Sequence, residues 1–464
     1  MAPFPSRAAF PASARRATAT PFPASPLALA QSNPAFIFAA LLLFTHFARP
    51  FDVVLVGYKI PAIICSACIV VAIVTGGMKE LRSRVGAALL LLVAWMCISA
   101  PFSFWKGGTF MYVMWYAQFF FPLMLLVAVA SKTPKDMLKL CGVVAFSCFC
   151  HLLNGTEQYG RFGLKGTFGN PDDVALLSGF TMPFLILICG RLRNAVLRYV
   201  LLAGGCGYLL FLTGRTGTRA AIPALLAMLA IYFIRSKGVQ RVAILIGAVF
   251  IGFIVVAALP ASTLERLSTV LYAFNPKSTV GTNEAEGSAL ERHDLMRDAV
   301  KIAIAHPIVG VGAGMFMQYR WDKLLRADGL HKSYIPAHNS YLEIASECGI
   351  PGVIFYVLFL WIIHRQIRIM QKLTVARSTP QTDMLWSVCL CVEAALVYFV
   401  VCAAFMTCDR HPHQFLLAGF AIALQRMARS STLMGTPTAA PPLMNPLMPA
   451  VPFVGKRPFP IAAR

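Results

Sequence analysis

Pro336-Ala337-His338-Asn339-Ser340-Tyr341-Leu342, followed by Glu343 to Glu347 and closed by Gly349-Ile350-Pro351-Gly352, is where the one long polar excursion of an apolar chain turns back into a hydrophobic run. Pro336 blocks helix before it, Asn339 or Ser340 can cap a short helix, Glu343 and Glu347 share a face at i, i+4, and Gly349 then Pro351 end it. His338 therefore falls at a helix N-terminus, where the positive end of the dipole favours a neutral imidazole and attracts an anion. That is a place for a general base beside a phosphate. The competing reading is a hydrogen-bonded loop histidine with no chemistry.

The surrounding composition sets the class. The chain has 464 residues, of which 58% are hydrophobic and 13% charged, with a mean hydropathy of +0.68. A soluble domain carries roughly 25% charged residues, so this is an integral membrane protein. The net charge of +22 would suggest nucleic acid in a soluble protein, but the basic residues fall between apolar spans and read as topology-setting charge, with no nucleic-acid partner. The 13 cysteines lie mostly inside apolar runs; Cys65 and Cys68 form a C-x-x-C within one of them and read as small apolar residues.

Apolar stretches lie near 34–49, 52–75, 85–103, 109–130, 136–153, 172–190, 196–213, 219–235, 242–260, 351–363, 384–406 and 413–428. Several are shorter than the ~20 residues of a straight crossing. The expected fold is an all-α polytopic membrane protein with about 12 transmembrane helices. Residues 1–33 form a disordered cytoplasmic tail, 34–260 hold nine spans, 261–350 are a large outer loop carrying short helices, 351–428 hold three more spans, and 429–464 are a second disordered tail. Lys79, Arg82 and Arg84; Lys132, Lys135 and Lys139; Arg191, Arg193 and Arg198; Arg235, Lys237 and Arg241; and Arg365, Arg368, Lys372 and Arg377 sit on alternate connections, which places these and both termini in the cytoplasm. Lys106, Arg161, Lys165, Arg215, Arg219 and Arg410 fall on the opposite side, against the positive-inside bias, and each needs a reason to be there.

The outer loop carries ten of the nineteen acidic residues. Ser288-Ala289-Leu290-Glu291 is a capping box that predicts a helix from 289 to about 305, ending before Pro307. Gly310-Val311-Gly312-Ala313-Gly314 lacks the strand-then-helix order of a dinucleotide fingerprint and reads as a tight turn or close-packing site.

Four outward features converge by topology: Arg161 in the glycine-rich run 159–172, Arg219 (with Arg215 beside it) between two spans, Arg292 on the loop helix, and His338. Arginine suits phosphate because its planar fork gives permanently charged, bidentate donors. Several arginines and a neutral histidine at an outer membrane face suit holding a lipid diphosphate while a hydroxyl attacks the sugar attached to it, the arginines standing in for a metal and His338 acting as base. Lipid-headgroup anchoring or loop packing is the alternative for each arginine. Asp409-Arg410-His411-Pro412-His413 contains H-x-H, but Pro412 between the histidines argues against a closed metal site, leaving a rim that touches donor or acceptor.

The run 336–342 with Glu347-Cys348-Gly349-Ile350-Pro351-Gly352 resembles the signature of the O-antigen ligase and polymerase superfamily. So do Arg292 with His306-Pro307-Ile308-Val309-Gly310-Val311-Gly312, the turn Gly166-Thr167-Phe168-Gly169-Asn170-Pro171, and Thr218-Arg219-Ala220. The resemblance runs from about 160 to 370; the first 150 residues match in hydropathy alone. It implies a GT-C-like enzyme of the bacterial inner membrane that moves a glycan from undecaprenyl diphosphate to a glycolipid or glycan acceptor at the periplasmic face, among membrane lipids and without nucleotide, metal or other cofactor. Carried onto this chain, Arg219 and Arg292 bind the diphosphate, with Arg215 and Arg161 as further candidates, and His338 activates the acceptor. Asn339, Tyr341, Glu347 and Arg410 are expected at the acceptor or rim. Members use lipid A core, a growing glycan, or protein serine and threonine as acceptor; the absence of a soluble domain after the last span weighs against the third.

A transporter or flippase is the rival from another class, suggested by twelve spans, by Glu393 inside 384–406, and by Asp172 and Asp173 at a helix start. Glu393 reads as a lone intramembrane acid hydrogen-bonded to a neighbouring helix. Asp172 and Asp173 read as favourable first-turn acids. Two similar halves with paired broken helices, expected of a transporter, are not evident, and a purely structural scaffold leaves the outer arginines unexplained.

Overall fold

The structure is a computed structural model that describes residues 34–52, 58–153, 155–158, 161–164, 170–261, 263–264, 267, 284–325, 334–375 and 380–429. Five helices come first: α1 (Pro34–Phe47), α2 (Ile60–Val74), α3 (Arg84–Ser99), α4 (Lys106–Ala130) and α5 (Pro134–Leu152). A hairpin of β1 (Gly155–Gln158) and β2 (Arg161–Leu164) follows, then α6 (Pro171–Cys189), α7 (Ala195–Arg215), α8 (Ala221–Arg235) and α9 (Val239–Ala258). The remainder comprises α10 (Glu284–Ala305), the short α11 (Phe316–Arg320), α12 (Ser340–Val375), α13 (Pro380–Ala403) and α14 (His413–Arg429).

Each of the twelve apolar stretches contributes a helix among the described residues, and seven of the described helices are long and apolar enough to cross a membrane; α1, α2 and α8 are shorter apolar helices. The hairpin departs from an all-helical expectation: its strands pair antiparallel with Gly155 opposite Leu164 and Gln158 opposite Arg161, too short a run for periodicity to reveal. The loop helix begins at Glu284, ahead of the predicted 289, and ends at Ala305 before Pro307. The side chains of the proposed capping box at 288–290, the glycine turn at 165–169, and both tails at 1–33 and 430–464 lie outside the described residues.

Helix starts follow local chemistry. Ser83 caps α3 by accepting from Gly86 N at 3.0 Å, and Thr133 with Asp136 forms a capping box ahead of Pro134 at the start of α5. Asn170 accepts from Asp172 N at 3.0 Å, with Pro171 at the first helical position of α6. The centre of the bundle lies around α6 and α13, whereas α9 has no buried residue and packs along α7, apolar from Val242 onward. Such exposure costs nothing in hydrocarbon, where an apolar side chain gains little by leaving lipid. At one end of the bundle Arg426 of α14 bonds Glu80 Oε1 at 2.6 Å and the carbonyls of Ala128 and Ser131 at 2.9 Å, tying α14 to the α2–α3 and α4–α5 connections.

Glu393 is not alone. Arg235 of α8 donates to its two carboxylate oxygens at 2.8 and 3.2 Å, Gln371 of α12 donates at 2.6 Å, and Arg368 lies 3.6 Å away. Fully paired in this way, it locks α8, α12 and α13 together as a structural link.

α12 is broken at Gly349, whose φ of 71° and ψ of −176° leave the helix, yet the chain resumes helix at once instead of separating into two elements. The break frees backbone groups that a turn from the preceding segment takes up. Ile350 N donates to Pro307 O at 2.8 Å, so the carbonyl of Ser346 receives Val311 N at 2.9 Å instead. Pro351 has no N–H to offer the carbonyl of Glu347, which receives Gly312 N at 2.8 Å. Gly312 sits at φ +110°, and a Cβ there would overlap Ser103 Oγ and crowd Thr109 Oγ1. Gly312→Ala is therefore expected to destabilise the fold by more than about 2 kcal/mol, through backbone strain and overpacking together, read as a lowered thermal unfolding midpoint in detergent.

Candidate functional site

Asp172, buried in the first turn of α6, gathers three elements around its carboxylate. Thr218 Oγ1, from the turn between α7 and α8, donates to Oδ1 at 2.8 Å. Arg292 Nη2, from α10, donates to Oδ2 at 2.5 Å. His338 Nδ1, from the segment leading into α12, lies 3.8 Å from the same Oδ2. The α7–α8 turn is possible because Gly217 takes φ +61°, and Thr216 Oγ1 accepts from Thr218 N at 3.2 Å. Arg219 follows Thr218 directly, its carbonyl accepting from Ile222 N at 3.2 Å. Arg219, Arg292 and His338 are thus carried by elements that meet at one acid.

His338 precedes the helix cap. Asn339 Oδ1 accepts from Tyr341 N and Leu342 N, both at 3.0 Å, as an N-cap. His338 itself adopts φ +51°, the left-handed region that costs a residue with a Cβ about 1–2 kcal/mol. Its neighbours hold it there. Asn339 Nδ2 donates to Ala404 O at 2.8 Å, Tyr341 Oη to Val400 O at 3.0 Å, and Ser340 Oγ to Met406 O at 2.9 Å while accepting from Cys408 N at 2.6 Å. Asn339 and Tyr341, expected at the acceptor rim, are occupied in tying the start of α12 to the end of α13.

Glu347 is likewise no rim residue, being buried at the centre of a clamp. Gly314 N donates to its Oε2 at 2.8 Å and Phe316 N to its Oε1 at 3.1 Å, so the glycine turn closes on a carboxylate. Arg410 Nη2 donates to Glu347 Oε1 at 2.9 Å and to Glu343 Oε1 at 2.8 Å, and its guanidinium lies 5.1 Å from the Tyr112 ring centroid. Glu343 Oε2 in turn accepts from Ala337 N at 3.1 Å and Thr407 Oγ1 at 2.6 Å. One guanidinium thereby joins the 310–316 turn, α12 and the 404–410 connection.

The electrostatics of that connection follow from its burial. Desolvation pushes the Asp409 carboxyl up to about 7 against the pull of Arg410, with Glu343 adding to the rise. His411 is pushed down to about 3 by burial first and then by Arg49 and Arg410, so it is a neutral imidazole at pH 7, 3.6 Å from Asp173 Oδ1. Burial opposes charge on Arg410, but Glu347, Tyr112, Glu343 and Asp409 together hold its proton well above the ordinary arginine range.

Arg215 is drawn elsewhere, into an ion pair with Glu157 on β1. Arg161 lies on β2 opposite Gln158, and its side chain is outside the described residues. What sequence reasoning missed is Asp172, read only as a first-turn acid. The available signal was an acid directly after Asn170-Pro171, at the start of a helix flanked by the outward-facing arginines.

The O-Antigen ligase family model matches residues 184–357, a segment that holds Arg219, Arg292 and His338 and stops short of Asp172 and Arg410. The match supports assignment to the O-antigen ligase and polymerase superfamily and a function of that type. No curated protein matches the chain.

Proposed function

We propose that the protein is an O-antigen ligase-like glycosyltransferase that moves a glycan from undecaprenyl diphosphate to a hydroxyl of lipid A core or a related surface glycoconjugate, at the periplasmic face of the bacterial inner membrane. The observation that carries this reading is the convergence of Thr218, Arg292 and His338 on Asp172, with Arg219 one residue from Thr218. Asp172 accepts from Arg292 and faces His338 Nδ1, which orients the ring, and the imidazole is assigned the proton of the acceptor hydroxyl. The acceptor oxygen forms a bond to the anomeric carbon, and the bond from that carbon to the diphosphate oxygen breaks. Undecaprenyl diphosphate leaves with the electron pair, and the proton on His338 passes to water. Because Arg292 is already partly neutralised by Asp172, the charge developing on the leaving diphosphate calls for a second cation, the role given to Arg219.

The test is transfer by purified protein in detergent with an undecaprenyl-diphosphate glycan and EDTA, offering lipid A core, a second lipid-linked glycan and a Ser/Thr peptide as acceptors. Product with wild type that disappears in His338→Ala supports the reading, and the acceptor used separates ligase from polymerase. Arg219→Ala and Arg292→Ala are expected to abolish transfer in protein that remains folded. Arg219→Lys should rescue poorly, because a point charge does not reproduce the guanidinium fork. Normal transfer by both alanine variants would remove the diphosphate assignment.

A further inference from the structure

A second site stands beside the Asp172 cluster. A cleft of about 400 Å³ opens between the end of α1, the start of α2, the middle of α4 and the 409–412 connection. Among the described residues its lining holds three strongly basic side chains, Arg49, Lys59 and Arg410, and no acidic one, over an aromatic wall of Trp115, Phe119 and Phe120. The cations sit on connections, whereas the aromatics lie within α4, so polarity falls along the cleft from rim to wall. Next to that wall the surface is apolar and open, with Ile63 64% and Met114 55% exposed, which in a bilayer is contact with lipid chains.

Two further observations set this cleft apart from ordinary headgroup anchoring. Among the described residues three non-glycine positions have positive φ: His338 at 51°, Arg49 at 47° and Lys59 at 50°. Two of these three left-handed residues, Arg49 and Lys59, are among the three cations of the cleft. Such conformations persist where surrounding structure over-determines them, and they cluster at functional sites. In addition, Arg410 reaches the cleft from a connection where it is already held by ion pairs to Glu343, Glu347 and Asp409, which fixes its guanidinium in place at the cleft's edge. Asp173, 3.6 Å from His411, links this connection to the helix turn that carries Asp172.

We infer that the cleft between α1, α2, α4 and the 409–412 connection binds a phosphate-bearing lipid, its phosphate between Arg49, Lys59 and Arg410 and its chains along Trp115 and Phe119. Cations above an aromatic wall at membrane depth match an anionic headgroup on hydrocarbon. If the transfer reading above holds, on which this step alone rests, the occupant is the lipid acceptor, held on the side of the 409–412 connection that reaches Asp173, the neighbour of Asp172, through His411.

Trp115 reports on the occupant. Full-length protein in neutral detergent is titrated with phosphatidic acid brominated on its acyl chains, and with phosphatidylcholine carrying the same chains. The expected result is a saturable quenching of tryptophan fluorescence by phosphatidic acid that is absent in Trp115→Phe and needs at least tenfold more lipid in Arg49→Gln/Lys59→Gln. Lys59→Gln alone, at an exposed position, serves if the double variant does not fold. Equal quenching by phosphatidylcholine, or an unchanged titration in the charge variants, overturns the inference. So does competition by inorganic phosphate at concentrations comparable to the lipid, which would make the site one for a soluble anion. None of these readings depends on transfer, so failure here and failure of the His338→Ala assay are separate results.

Discussion

Asp172→Asn is expected to lower the rate of glycan transfer by about 10²- to 10⁴-fold, the span associated with loss of a positioned general base, while the protein stays folded. Asparagine keeps an oxygen for Thr218 Oγ1, which donates at 2.8 Å, so the α6 contact to the α7–α8 turn survives. What it loses is the anion that both Arg292 and His338 face through Oδ2. An amide nitrogen placed there presents hydrogens to a guanidinium, and it no longer fixes which ring nitrogen of His338 carries the proton. Initial rates with the lipid-linked donor measure the effect. Residues that act as a unit give non-additive losses, so Asp172→Asn combined with His338→Ala should be no slower than His338→Ala alone. A wild-type rate in Asp172→Asn would reduce the acid to a structural tie. A fully additive loss in the double variant would separate it from the histidine.

The helical stretches were legible because apolar length is a one-dimensional signal, and the caps that start them are local: Asn170-Pro171 opens α6, and Thr133 with Asp136 opens α5. Gly349-Ile350-Pro351 announced a break for the same reason. What no local signal contains is the partner that fills the break, because the Val311 and Gly312 N–H groups come from a turn some thirty-five residues earlier. The candidate site divides along the same line. Arg219, Arg292 and His338 were visible as charges out of place or as residues before a cap. Asp172 was not, since an acid in a helix's first turn already has a sufficient local reason to be there. Its meaning lies in three side chains that reach it from distant elements. Glu347 was visible as a polar residue but assigned to a rim, because sequence does not separate a charge facing a cavity from one buried against another charge.

Burial of Glu347 yields the other large expected effect. Arg410→Met should destabilise the protein by about 3–5 kcal/mol, because it leaves the carboxylates of Glu343 and Glu347 buried without their cation. Both acids are almost wholly removed from solvent, and Arg410 reaches them at 2.8 and 2.9 Å. Glu347→Gln should cost less, since its amide oxygen still accepts from one of the Gly314 and Phe316 N–H groups that close the glycine turn. Combining Glu347→Gln with Arg410→Met removes one unpaired charge, so the double variant should recover more than about 1 kcal/mol relative to the sum of the single losses. Thermal unfolding of the four proteins in one detergent closes the cycle. Strict additivity would mean that Arg410 is held by Glu343 and Asp409 alone and that the turn at 310–316 is fixed independently of it. A positive coupling makes the clamp the element that holds α12 against the 404–410 connection. The start of α12, where the bonds of Asn339, Ser340 and Tyr341 hold His338 at φ +51°, would then be seated by the same clamp.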